Sequence, residues 1–222
     1  MTEQVVIQVR DMIQQGKLKP GDQLPSEREL AKRLGISRAS LRAGLHFLSA
    51  MGVLSSRHGS GTYIADGPPA LDSEPLSMLA ALHGFKPDEM FEARSLLEVG
   101  LAGLAAEHAS DDHLATMAEE VTEMYATLDD PQQYLIHDIR FHRAIAAGSG
   151  NPILAALMDM VAAVMYERRR ETVSRATDLK ESAAMHRKIY RLIREHKGNE
   201  ARVAMSEHLL LAQQAFASEE VS

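Results

Sequence analysis

Hydrophobic positions recur about every 3.6 residues over most of the chain beyond residue 86, and this spacing predicts amphipathic helices. The first is expected over residues 87–109, after a short one over 75–82. Cap-forming residues, glycine and proline interrupt the pattern and place the later helices at 110–128, 130–147, 151–169, 177–196 and 200–217. Because the connections are short and no useful polar–apolar alternation occurs, this part is predicted to be an all-α helical bundle.

The first 66 residues follow a different pattern. A lead helix over 5–15 precedes two short helices, which are joined by a tight turn at Gly35, where a left-handed backbone costs least. Ser26 and Ser37 stand where the two short helices begin, and Glu29 completes a capping box with Ser26. The second short helix has an apolar stripe, formed by Leu41, Leu45 and Leu48.

The front of that second helix is polar and basic, with Arg38, Ser40 and Arg42 in its first turns. After the helix ends near Met51, two β-segments flank a basic, glycine-rich tip at residues 57–61. This arrangement is typical of a winged helix-turn-helix, which inserts the second helix into a DNA major groove. The predicted fold class is therefore mostly α, with an N-terminal winged helix-turn-helix, a small β-wing and a C-terminal all-α helical bundle.

These residues also carry a family resemblance. Nearly all of residues 3–66 resemble the DNA-binding domain of the GntR superfamily of bacterial transcription regulators, most clearly in LPSERELAKRLGISRASLRAGLHFLSAMGVL and RHGSGTYIA. The resemblance implies arginine contacts to phosphates and guanine edges, and wing contacts in the minor groove. Arginine suits this role because it can bond guanine O6 and N7 together; the alternative is a basic helix face that is merely solvated. The predicted DNA-contacting residues are Arg28, Ser37, Arg38, Ser40, Arg42, His58 and Gly59.

Composition limits the function classes. The 222 residues suit two domains, and a hydrophobic content of 45% is enough to bury a core. The chain has no cysteine, which excludes disulfides, thiolate zinc sites and cysteine nucleophiles and fits a reducing cytoplasm. No apolar run has the length of a membrane span, and the N-terminus does not have the pattern of a signal peptide. A cytoplasmic protein without a membrane partner is expected.

Charge is divided unequally along the chain, although the net charge is −7. Residues 1–66 hold nine Lys/Arg and six Asp/Glu, whereas residues 67–222 hold fifteen and twenty-five. The basic part is therefore the predicted DNA-binding part. Glycine and two prolines at positions 67–69 mark a boundary. We predict a DNA-binding domain at 1–66, a linker with a short helix at 67–86, and a ligand-binding and dimerisation domain at 87–222.

One carboxylate and three imidazoles are candidates for a metal site. Asp138 and His142 are four residues apart and share a helix face. His186 and His208 lie at similar distances from the turn that joins the last two helices, so they can face each other across an antiparallel hairpin. If the helices pack together, the four side chains converge and form a set of ligands that suits Zn²⁺, Ni²⁺, Mn²⁺ or Fe²⁺.

Taken singly, such histidines are more often ordinary core or surface residues, and their convergence by chance is the alternative. The second half also resembles the FCD-type ligand-binding domain of GntR regulators, in DIRFHRAIAAGSGNPIL, MHRKIYRLI and GNEARVAMSEHLL. That resemblance implies that Asp138, His142, His186 and His208 are the protein ligands of a divalent transition metal. The metal's identity stays open, with zinc expected in purified protein.

Three further residues are candidates for effector binding. Arg94 and Glu98 are four residues apart, which fits a salt bridge on the helix surface that contributes little to stability. Arg94 instead fits a ligand carboxylate, because its planar guanidinium can bond both oxygens, and the resemblance implies this role. We favour effector binding for Arg94 and the structural interpretation for Glu98. Tyr134 and Tyr190 lie one turn from Asp138 and His186, and either line the same cavity or are simple core residues.

The leading hypothesis is a ligand-responsive transcription regulator, with repression favoured. It senses a small carboxylic acid and binds a palindromic operator in double-stranded DNA as a homodimer, because a single short helix reads few bases. Hydroxy acids, sugar acids and dicarboxylates are the candidate effectors. In the alternative, the metal is purely structural or is itself the signal. A metal-dependent hydrolase is remote, since no carboxylate is spaced as a partner base, and an enzyme is not expected.

Overall fold

The structure is a computed structural model that describes residues 2–57, 60–66, 73–175 and 179–219. The chain forms two compact units, Met1–Asp72 and Ser73–Ser222, and each is described by itself. The predicted fold class is confirmed: helices dominate the described residues, and a two-stranded antiparallel sheet follows the helix-turn-helix. None of the helices in these ranges combines the length and hydropathy that a bilayer span requires.

The first unit contains three helices and two strands in the described residues. They are α1 (Thr2–Gln14), α2 (Glu27–Leu34), α3 (Arg38–Ala50), β1 (Leu54–Arg57) and β2 (Gly61–Ile64). Leu54 pairs with Ile64 and Arg57 with Gly61, so the two strands form the wing. The predicted wing-tip contacts His58 and Gly59 lie outside the described residues.

The capping residues set the ends of α2 and α3. Gly35 ends α2 at φ 64°, the left-handed conformation predicted for it. Ser37 Oγ accepts the Ser40 backbone N–H and caps α3. Ser26 Oγ accepts the Glu29 backbone N–H, but the Glu29 carboxylate pairs with Arg33 one turn later. The predicted capping box is therefore only half formed, because a charged partner competes for the carboxylate.

The core of the first unit depends on a close approach between α1 and α3. Val5, Leu41 and Leu48 are buried there. A Cβ atom added to Gly44 on α3 would lie 2.5 Å from Val5 Cβ. Only a residue without a side chain therefore allows α1 to pack this closely.

Gly44→Ala is expected to destabilise the first unit by about 1–3 kcal/mol, because the added methyl group overpacks the contact with Val5. Gly100→Ala is the matched control, since Gly100 is also helical but a Cβ there meets nothing within 4 Å. The control should be neutral or should stabilise by about 0.5–1 kcal/mol. Chemical denaturation followed by circular dichroism measures both, and equal effects would contradict the packing argument.

The second unit consists of seven helices in its described residues. They are α4 (Glu74–His83), α5 (Pro87–His108), α6 (Asp111–Ala126), α7 (Pro131–Gly148), α8 (Pro152–Arg175), α9 (Leu179–Arg194) and α10 (Gly198–Glu219). Each predicted helix is present, but α8 continues past its predicted end at residue 169. The extension over 170–175 contains two arginines and one glutamate, which favour helix, beside a threonine, a valine and a serine, which favour it less.

Helix α5 runs through the middle of this unit and packs against α7, α8, α9 and α10. Asp88 near its start accepts a hydrogen bond from Gln213, and Glu107 near its end pairs with Arg202. Helix α10 is therefore antiparallel to α5. The main hydrophobic cluster fills the space between the helices and includes Leu101, Phe141 and Ile189. This packing brings α5, α7, α9 and α10 around one buried polar site.

Candidate metal and effector site

Four side chains from three helices converge inside the second unit. Asp138 and His142 come from α7, His186 from α9 and His208 from α10, and all four are buried. One carboxylate oxygen and three imidazole nitrogens from these residues lie within 4.8 Å of one another. The structure thus brings together the four residues that the sequence predicted, as a group that could hold a metal ion.

Two of the three distances between Asp138, His142 and His186 match those expected around a shared cation. His186 Nε2 lies 3.0 Å from Asp138 Oδ1 and 3.3 Å from His142 Nε2. Asp138 Oδ1 and His142 Nε2 are 3.8 Å apart. Two nitrogens that each bind zinc at about 2.1 Å stand about 3.0–3.4 Å apart at ordinary coordination angles. The two shorter separations lie in this range and the third is wider, while the donor set is one that suits a divalent transition metal.

Two of the imidazoles also contact a neighbouring group through Nδ1, the ring nitrogen on the side away from the metal group. His186 Nδ1 lies 2.8 Å from the backbone oxygen of Ser182. A carbonyl oxygen only accepts, so Nδ1 carries the proton and Nε2 keeps its lone pair. His142 Nδ1 contacts the carboxylate of Glu98, and its Nε2 lies toward His186 Nε2. Both rings therefore present Nε2 to the centre of the group.

Arg94 and Glu98 lie on α5 at the edge of this group, and both are 2% exposed. Arg94 Nε donates to Glu98 Oε1, while Arg94 Nη2 lies 3.3 Å from His142 Nε2. The predicted Arg94–Glu98 pair is present, but it is buried rather than on the helix surface, and the carboxylate also contacts His142. The contact between Glu98 and His142 was not predicted from the sequence. The available signal was that α5 has few other charged residues between positions 90 and 106, which is typical of a buried stretch of helix.

The Glu98 carboxyl forms an ion pair with the buried Arg94 guanidinium. Burial by itself raises the pKa of Glu98. The adjacent Arg94 guanidinium outweighs burial and holds the pKa of the Glu98 carboxyl well below its usual range. The site thus contains a buried negative charge beyond that of Asp138.

The two candidate tyrosines lie in the same unit. Tyr134 is buried in the main hydrophobic cluster one turn before Asp138, and Tyr190 packs against that cluster. The guanidinium of Arg194 lies 5.5 Å from the Tyr190 ring centroid. Effector contact by either tyrosine stays a prediction.

His137, beside Asp138 in sequence, faces away from the metal group and bonds Glu120 at 2.8 Å.

The three predicted DNA-contacting arginines lie at the surface of the first unit. Arg28, Arg38 and Arg42 are exposed, and a hollow of about 800 Å³ is lined by Arg28, Lys32 and Arg38 among others. Arg42 Nη2 lies 2.9 Å from Glu27 Oε2. That hydrogen bond lowers the pKa of Glu27 and holds the guanidinium at the helix surface.

Two serines of the predicted set are part of the helix cap. The Ser37 and Ser40 hydroxyls are 2.9 Å apart, and Ser37 Oγ also accepts the Ser40 backbone N–H. The pair therefore defines the N-terminal end of α3, where helix N–H groups favour phosphate. Direct contact of these serines with DNA stays a prediction.

Comparison with known proteins gives two family matches. Residues 1–64 match the bacterial regulatory proteins of the gntR family, and residues 89–211 match the FCD domain. HTH-type transcriptional regulator LutR of Bacillus subtilis (strain 168) is 34% identical over 203 residues, which is 89% of this chain and 93% of that protein. HTH-type transcriptional repressor NanR of Edwardsiella tarda (strain FL6-60) is 31% identical over 226 residues, covering 94% and 82%.

Another relative and one solved structure agree with these matches. The putative L-lactate dehydrogenase operon regulatory protein of Escherichia coli (strain K12) is 36% identical over 164 residues, covering 71% of this chain and 62% of that protein. The structure of Streptococcus agalactiae GntR superposes with a TM-score of 0.70 at 27% identity, covering 96% of this chain and all (100%) of that one.

Proposed function

Since the chain belongs to the GntR family of bacterial transcription regulators and carries an FCD domain, we propose that it is a repressor whose release from DNA is triggered by a small carboxylic acid. The regulator class predicted from the sequence is confirmed by the family, whose members bind DNA and are not enzymes. The hydrolase alternative is therefore dropped. The metal, the acid and the operator are parts of the proposal.

The observation that carries the proposal is the buried group of Asp138 and three histidines beside the Arg94 guanidinium. Asp138, His142, His186 and His208 would hold the ion. A divalent transition metal bound there supplies a Lewis acid for a carboxylate or hydroxyl oxygen of the effector. A purely structural metal needs no arginine beside it, so Arg94 favours an acid sensor over the alternative in which the metal is structural or is the signal.

Arg94 is the proposed anchor for the effector carboxylate. Its Nε is used by Glu98, while Nη2 points toward His142. An arginine fixed on one side presents its other N–H groups in a defined direction, which suits a carboxylate. Tyr134 and Tyr190 are the proposed lining residues. One relative is named for an L-lactate dehydrogenase operon, which makes L-lactate the first acid to test.

Operator binding is assigned to the first unit. We propose that residues 1–66 read DNA, that 67–86 connect, and that 87–222 bind the effector and dimerise. GntR regulators bind operator DNA and are typically dimeric, so a homodimer on a palindromic site in the cytoplasm is proposed here. The acid changes operator affinity only if it binds two dimer arrangements unequally. The proposed DNA contacts are Arg28, Ser37, Arg38, Ser40, Arg42, His58 and Gly59.

Arg94→Lys is expected to weaken L-lactate binding by about tenfold or more without changing the metal content. Lysine keeps the positive charge near Glu98 but loses the planar fork, and charge-assisted hydrogen bonds contribute about 1.5–3 kcal/mol. Isothermal titration calorimetry of zinc-loaded protein measures the affinity. Arg143→Lys is the control, since Arg143 makes the same kind of pair with Asp159 at an exposed position. Equal affinities in wild type and Arg94→Lys would contradict the anchor role.

A further inference from the structure

The buried charges of the effector site do not cancel once a divalent ion is bound. Among the described residues, the buried side chains that carry charge in this site are Arg94, Glu98 and Asp138. The buried Glu120 pairs with His137 instead. Two carboxylates and one guanidinium amount to one negative charge, and imidazoles that bind through Nε2 are neutral. A divalent ion would therefore leave one positive charge in the site.

Because buried net charge is unfavourable, a site with one surplus positive charge is best neutralised by one negative charge. We infer that Glu98 sets this charge, so that the regulator responds to singly charged carboxylic acids and discriminates against dicarboxylates. The inference rests on the proposed function, and it narrows the effector class. Without Glu98 the surplus would be two positive charges, which a dicarboxylate would match.

The position of Glu98 makes it the group that sets the charge. Its Oε1 accepts from Arg94 Nε, and its Oε2 contacts His142 Nδ1, so it touches both the proposed anchor and a proposed metal ligand. It is 2% exposed, so solvent does not screen its charge as at the surface. Glu98 also occupies one edge of the guanidinium, and this leaves Arg94 fewer donors for a second effector carboxylate.

The test uses two acids of nearly the same shape, L-malate and its 4-amide, which differ by one negative charge. Calorimetric titration of the zinc-loaded full chain is expected to show at least about tenfold tighter binding of the singly charged amide. In Glu98→Gln the preference should shift by about tenfold or more toward L-malate. Glu98→Asp keeps the charge and should keep the wild-type preference.

Glu107→Gln is the matched control, because Glu107 lies on the same helix but pairs with Arg202 at a more exposed position. Its preference should equal that of wild type. Equal affinities for the two acids in wild type, or an unchanged preference in folded, zinc-loaded Glu98→Gln, would overturn the inference alone. If Glu98→Gln does not fold or does not hold zinc, the inference is tested by the other two proteins: wild type and Glu98→Asp should both bind the amide more tightly than L-malate. If zinc-loaded wild type binds neither these acids nor L-lactate, the proposed carboxylate sensor is wrong, and the inference fails with it.

Discussion

Replacing His186 and His208 together with alanine is expected to remove the bound metal and the response to acid while operator binding persists. The variant loses two of the four proposed ligands, one from each arm of the α9–α10 hairpin. Changes to residues that merely orient ligands cost about 10–100-fold in metal affinity, so loss of two ligands should cost more. The remaining Asp138 and His142 come from one helix and leave half of the coordination shell to water.

Two measurements on this double variant separate the roles of the two units. Metal content after gel filtration should fall to background. Affinity for an operator selected from random DNA should stay within about threefold of wild type, and L-lactate should no longer change it. His137→Ala is the control, because His137 is partly buried beside Asp138 but bonds Glu120. Unchanged metal content in the double variant would show that the site is elsewhere.

The double variant also opens space in a packed region. His186 is 0% exposed, and its ring stands edge-on to Phe141 with centroids 5.1 Å apart. Truncating buried side chains destabilises by a few kcal/mol. His186→Asn with His208→Asn fills more of that space and weakens the donor set. If this folded variant still binds the metal and still responds to acid, the ligand assignment is wrong, as it would be if the alanine variant did so.

Arg38→Ala is expected to reduce sharply the discrimination between the selected operator and a scrambled sequence. Arg38 is the first residue of α3, and its exposed side chain stands just after the Ser37 cap. A bidentate contact of arginine with guanine contributes about 1–3 kcal/mol of discrimination, which is about 5- to 150-fold. Fluorescence anisotropy with both DNA sequences measures the ratio of affinities.

The control for this experiment is a variant that loses one positive charge elsewhere in the same unit. Arg10→Ala removes an exposed arginine from the same unit, and that arginine pairs with Asp11 on α1. Arg10→Ala should leave the affinity ratio unchanged, whereas Arg38→Ala should bring it toward one. Circular dichroism and metal content should match wild type in both variants. Retained discrimination in Arg38→Ala would remove α3 as the base-reading helix.

Local chemistry explains why much of the fold could be predicted from the sequence. The boundaries of α2 and α3 follow from Ser26, Gly35 and Ser37, whose backbone and side-chain preferences act within a few residues. Two pairings within the metal group also follow from short-range geometry. Asp138 and His142 are one helical turn apart, and the α9–α10 connection places His186 opposite His208. The approach of His142 to His186 is a long-range contact, which only the FCD resemblance predicted.

The role of Glu98 depends on packing that the sequence does not display. An i,i+4 pair of arginine and glutamate has the same sequence pattern on a surface and in a core. Only the contacts of α5 with α7 place this carboxylate against His142. The half-formed capping box at Ser26 is a similar case, because Arg33 competes for the Glu29 carboxylate. Predictions from spacing fail where two partners compete for one charged group.

Elemental analysis of the full chain, purified without a histidine tag or chelator, tests the central claim most directly. Inductively coupled plasma mass spectrometry should find about one transition metal ion per chain, because we propose that the buried carboxylate and three imidazoles together hold one ion. Asp138→Ala should lose it. No metal in wild type, even after reconstitution with Zn²⁺, Ni²⁺ and Mn²⁺, would contradict the metal-anchored sensor and leave only the DNA-binding half of the account.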